Sequence, residues 1–60
     1  MRDAAVTQRQ ILDAAEQEFA RHGLKGARMS AIAQTAQVTS ATLHYYFESK
    51  ENLYKEVLQR

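Results

Sequence analysis

The chain reads as all-α: a small helical bundle in which three helices include a helix-turn-helix and a fourth helix begins. Three observations predict this. Apolar residues recur at helical spacing in successive stretches: Ile11, Leu12, Ala15 and Phe19; Ile32, Ala33 and Ala36; Val38, Leu43 and Phe47; Leu53 and Val57 with Tyr54 and Leu58. There is no Pro, and the two glycines, Gly23 and Gly26, fall close together, so breaks are concentrated in one place. Thr7, Thr39 and Ser49 stand before three of the stretches, where a hydroxyl can accept from the orphan N–H groups of a first helical turn.

Composition sets the limits. Sixty residues make one small domain. A domain of this size buries only about 60% of its unfolded surface. With no Cys, neither a disulfide nor a thiolate metal site supplements that core. No apolar run approaches the ~20 residues of a membrane span and no signal-peptide h-region occurs, so no membrane role is expected and a cytoplasmic location is. The formal net charge is +1, but its distribution is uneven. From Arg21 to Phe47 there is no Asp or Glu, while Arg21, Lys25 and Arg28 lie within that span. A solvated face is the plain reading of such a charge run; a surface facing nucleic acid is the other.

Residues 1–6 lack periodicity and read as a flexible N-terminus, with Arg2 on an arm that either frays or reaches a ligand. The first helix is expected over about residues 7–22, opened by a capping box from Thr7 and Gln10. Arg9, Asp13, Glu16 and Gln17 cover its polar side, and Glu18 with His22 forms an i,i+4 pair. Gly23 closes it as a residue of positive φ. Lys25 and Gly26 connect to a second helix that starts near Arg28 and ends at Thr35 or Ala36. Arg28 at that start is either a solvated arginine or a phosphate ligand beside free backbone N–H groups.

Ala36-Gln37-Val38 is the turn, and it needs one residue of positive φ. Gln37 takes that position at a cost of about 1–2 kcal/mol. Thr39 caps a third helix that runs to about Tyr45. If Val38, Leu43 and Phe47 face the core, then Thr39, Ser40, Ala41, Thr42, His44 and Tyr45 face outward. An outer face of hydroxyls and methyls, without Lys or Glu, is an unusual solvent face and a suitable groove face. Ser and Thr hydroxyls can bond base edges, and Ala and Thr methyls can touch the thymine methyl. Ordinary helix capping is the plainer account of the same Ser and Thr residues. His44, Tyr45 and Tyr46 carry polar tips that suit phosphate oxygens, although Tyr46, three residues from Leu43, also suits the core. Ser49 caps the fourth helix, from Lys50 to near Arg60, with Glu51–Lys55 and Glu56–Arg60 as i,i+4 pairs. Lys50 lies in a first turn, where the helix dipole disfavours a cation; a phosphate there would remove the conflict.

The run from Ile11 to Leu53 resembles the DNA-binding domain of the TetR family of transcriptional regulators. The resemblance lies in Ile11-Leu12-Asp13-Ala14-Ala15, Phe19, Gly23, Ile32-Ala33, Ala36, Val38-Thr39, Thr42-Leu43, Tyr46-Phe47, Ser49-Lys50-Glu51 and Leu53. Gln37 stands where that family usually has Gly, Ala41 often corresponds to Gly, and His44 to Tyr. The resemblance implies a DNA-binding domain over residues 7–48, with the helix-turn-helix at about 28–47. It implies that residues 49–60 lead into a C-terminal domain that binds a small molecule and dimerises. By position, Thr39, Ser40, Thr42 and His44 would face bases, with Ala41 on the same face. Arg28, Tyr45, Lys50 and Tyr46 would hold phosphates. The implied protein is a homodimeric repressor on a near-palindromic operator, released by an unidentified inducer.

A second reading is a helical protein-interaction module with no nucleic-acid role, since amphipathic helices need no DNA to exist. It leaves the uncharged Thr39–Tyr45 surface unexplained. An enzyme is not expected: the acids are scattered, and neither His22 nor His44 has a nucleophile or carboxylate placed by spacing. No cofactor is implied, and His22 with His44 lacks a third metal ligand.

Overall fold

Residues 3–60 are described by the structure, a computed structural model. Four helices follow one another: α1 (Ala4–Gly26), α2 (Met29–Ala36), α3 (Ser40–Tyr46) and α4 (Lys50–Gln59). Packing of α1 against both α2 and α4 forms the frame, and α3 docks chiefly on α2. Ile11, Ile32, Leu43 and Leu53, one from each helix, are wholly excluded from solvent. Each such side chain contributes about 1.5–3 kcal/mol of burial. Around them pack Phe19 and Phe47, while Ala14, Ala15, Ala33 and Ala36 keep the α1–α2 contact close. Tyr54 meets Phe19 edge-on, with ring centroids 5.0 Å apart, and joins α4 to α1.

The first helix begins earlier than the expected residue 7. Asp3 is its N-cap, accepting from the Ala5 N–H at 3.0 Å. Thr7 lies inside the helix and is buried; its hydroxyl donates back to the Asp3 carbonyl at 3.2 Å. An aspartate cap one turn upstream displaces the threonine, whose hydroxyl can bond the carbonyl four residues before it instead. The Thr7–Gln10 box therefore does not form, and the Gln10 Oε1 is buried without a hydrogen-bond partner. Arg2 lies outside the described residues.

Gly23 interrupts α1 at φ 70°, ψ 175°, close to the end expected from the sequence. The following turn carries Leu24 back onto the core, and the Ala27 N–H closes on the Gly23 carbonyl at 3.0 Å. Two expected ion pairs are replaced. Arg60 pairs with Asp13 of α1 at 2.7 Å rather than with Glu56. Glu18 turns away from His22 to a backbone N–H at the start of α2. In both cases a partner from another helix wins over the i,i+4 neighbour. Leu58, expected on the α4 stripe, is 67% exposed, and Tyr54 and Val57 carry that face with Leu53.

Candidate nucleic-acid interface

Two joints position the candidate surface. At the α1–α2 joint, Arg28 is the N-cap of α2 but makes no side-chain cap. Its own N–H donates to Glu18 Oε2 at 3.1 Å. The carboxylate thus sits at the positive end of α2, where the dipole favours it. From the other side, the Lys50 ammonium donates to the Lys25 carbonyl at 3.2 Å and the Ala27 carbonyl at 3.0 Å. These bonds, not a phosphate, offset the unfavourable place of Lys50 in the first turn of α4. Two of its three N–H donors are engaged and one is left.

At the α2–α3 joint, Gln37 is left-handed at φ 61°, ψ 41°, as the turn requires. The Gln37 N–H bonds the Gln34 carbonyl at 3.1 Å and the Val38 N–H bonds the Ala33 carbonyl at 3.0 Å. This pair of bonds is a Schellman closure, and the half-buried Val38 supplies the apolar contact that accompanies it. Thr39 then caps α3 and accepts from the Thr42 N–H at 3.0 Å. The Thr39 hydroxyl also donates to the Thr42 Oγ1 at 3.0 Å.

The α3 surface follows from the single buried residue in that helix, Leu43. With Leu43 inward, Thr39, Ser40, Ala41, His44 and Tyr45 are exposed, the last by 82%. Thr42 and Tyr46 are only half-exposed, and Tyr46 packs on the core, in keeping with the alternative reading of that residue. Tyr45 meets Tyr46 edge-on with centroids 5.1 Å apart, so a half-buried ring props an exposed one. Arg28 is exposed and Lys50 half-buried. Beside the cap, Thr7, Gln37, Val38, Thr39, Thr42 and Tyr46 line an open groove of about 400 Å³ between α1 and the turn. Gln37, Thr7 and Val38, the last expected in the core and in fact half-buried, are the members of that groove which sequence reasoning did not place there. The turn position of Gln37 was the available signal for one, and Thr7 had none. Glu18 was missed as the partner of the α2 start, because a contact across ten residues leaves no periodic trace.

A short helix, a left-handed turn and a second helix with an uncharged, small-residue outer face, braced by α1 and α4, make a helix-turn-helix of the class used by DNA-binding transcriptional regulators. Comparison with known proteins narrows the class. A family model described as bacterial regulatory proteins, tetR family, matches residues 11–57. The chain belongs to the TetR family of bacterial regulatory proteins. It is 39% identical over 59 residues to the HTH-type transcriptional repressor SCO4008 of Streptomyces coelicolor, covering 98% of this chain and 31% of that protein. It is 41% identical over 59 residues to the HTH-type transcriptional regulator RutR of Escherichia coli, covering 98% of this chain and 28% of that protein. The crystal structure of HlyIIR, a hemolysin II transcriptional regulator, superposes with a TM-score of 0.87 at 42% identity, over 90% of this chain and 30% of that one. The chain therefore spans about a third of the length of the relatives it matches. These relatives are regulators and not enzymes, in line with the scattered acids here. Among the described residues, no helix is long and apolar enough to cross a membrane.

Proposed function

We propose that this domain binds double-stranded DNA by laying α3 in the major groove. The observation that carries the reading is the α3 face: exposed Thr39, Ser40, Ala41 and His44 with no Lys, Arg, Asp or Glu among them, on a span from Arg21 to Phe47 that contains no acid. Thr39, Ser40, Ala41, Thr42 and His44 face the bases. Arg28, Tyr45, Tyr46 and the third N–H of Lys50 hold phosphates on either side. In this reading Thr42 and Tyr46, both half-buried, stand at the edge of the contact.

The whole protein acts as a homodimeric repressor in the cytoplasm, on a near-palindromic operator whose half-sites mirror its two-fold symmetry. A small molecule bound in a C-terminal domain releases it. The family and the repressor named among the relatives support this part.

Fluorescence anisotropy of a labelled random-sequence duplex across a salt series tests the proposal. Log affinity is expected to fall linearly with log salt, with a shallow slope of about 2–3 from Arg28, Lys50 and Lys25. Absence of binding at low salt by a chain with its helical circular dichroism intact would sink it.

A further inference from the structure

The contacts within α3 bear on which base pairs it reads. This inference rests on the DNA reading above and deepens it. Direct readout in the major groove pairs particular side chains with particular bases. Arg or Lys forks onto guanine, Asn or Gln onto adenine, Asp or Glu accepts from cytosine, and thymine is read through its 5-methyl group by an apolar contact. The exposed positions of α3 are Ser40, Ala41, His44 and Tyr45, preceded by the capping Thr39. None of them is Arg, Lys, Asn, Gln, Asp or Glu, so no two-bond fork to guanine or adenine can come from this helix.

Thr39 loses most of its polar capacity to the fold. Its hydroxyl accepts the Thr42 N–H and spends its single proton on the Thr42 Oγ1, both at 3.0 Å. With its proton turned to Thr42, what remains to it is a methyl group and one lone pair. Thr42 is half-buried; its hydroxyl accepts in the same pair and keeps its own proton. The Ala41 side chain is itself a methyl. The uncommitted polar groups of the face are the Ser40 hydroxyl, the remaining Thr42 proton and the His44 ring, each of which offers a base a single bond and not a fork, and so discriminates less.

We propose that α3 recognises its half-site chiefly through the 5-methyl groups of thymine, with the methyls of Ala41 and Thr39 as the contacting groups. The recognised feature is the methyl and not the A·T pair, so 5-methylcytosine in the same place presents the same contact. Gln37, exposed in the turn, can add an adenine contact of its own, and that contact does not depend on a methyl.

The test alters the DNA and leaves the protein intact. The chain is used to select duplexes from a random library. The best duplex is then remade with each thymine replaced singly by deoxyuridine, and affinities are read by anisotropy at fixed salt. One to three thymines per half-site should each weaken binding about fourfold on losing the methyl, the worth of one buried carbon. Cytosine at such a position should bind poorly, and 5-methylcytosine should recover the loss. In Ala41→Gly the penalty should vanish at one thymine and persist at the others. Unchanged affinity for a fully uracil-substituted duplex, or selection of half-sites without thymine, overturns the methyl reading and leaves DNA binding standing. If the folded chain binds no duplex at all, both readings fall.

Discussion

Two of the three joints of this domain, α1–α2 and α2–α3, each contain one residue of positive φ, and they solve the problem differently. In the α1–α2 joint, Gly23 sits at φ 70°, ψ 175°. That extended, positive-φ region is essentially restricted to glycine. In the α2–α3 joint, Gln37 sits at φ 61°, ψ 41°, in the left-handed helical region that other residues enter at a modest cost. The rule that positive φ asks for glycine is thus strict at one joint and lenient at the other, because ψ differs. The joints also differ in what braces them. The first is held by two charged side chains, Glu18 of α1 and Lys50 of α4. The second is held by its own backbone closure and a threonine cap. The second joint thus depends on no charged side chain.

The largest expected effect is at the strict joint. Gly23→Ala should destabilise the domain by about 1–3 kcal/mol in urea unfolding. A Cβ at Gly23 would meet nothing within 4 Å, so the loss would be one of backbone conformation and not of crowding. A neutral result would dissolve the contrast between the joints.

Next comes the cap. Thr39→Ala should cost about 1 kcal/mol, with faster amide exchange at Thr42. Thr39→Ser, which keeps the oxygen, should recover most of it. Lys50→Met should cost a similar amount, about 1 kcal/mol, and quicken exchange around Ala27 and Arg28 while sparing the turn at Gln37. It should also flatten the salt dependence of DNA binding by about one unit if the third N–H reaches a phosphate. Quickened exchange at Gln37 and Val38 instead would show that the joints are not independent.

The smallest effect has the opposite sign. Gln37→Gly relieves left-handed strain but frees the unfolded chain, so the net should be a gain below about 1 kcal/mol. Thermal unfolding of this variant beside Gly23→Ala puts the two joints on one scale.

How much of this was legible in the sequence depends on the range of each interaction. Gly23, Gln37, Thr39 and Ser49 were placed correctly because a turn or cap is specified within four residues. Ile11, Ile32, Leu43 and Leu53 were found because burial on one helix face repeats with the helical period. The start of α1 was missed because Asp3 and Thr7, one turn apart, are both acceptable caps and local sequence does not rank them. The Glu18–Arg28, Lys50–Ala27 and Arg60–Asp13 contacts were missed because they join residues ten or more apart without any period. In the candidate site, the outward set on α3 followed from the helical period. The internal bond between the Thr39 and Thr42 hydroxyls did not, since two rotatable hydroxyls can choose each other or a base equally well on paper.

The face of α3, which carries no Lys, Arg, Asp or Glu, separates two properties that are usually entangled. Affinity for any duplex rests on cations that displace counterions, and it falls as salt rises. In the proposed complex, contacts made by Ser40, Ala41 and the methyl of Thr39 would displace none. The ratio between a good operator and a poor one should therefore hold steady as ionic strength changes, even while both bindings weaken together. A cell that shifts its internal salt would alter how much of this domain is on DNA without altering where it prefers to sit.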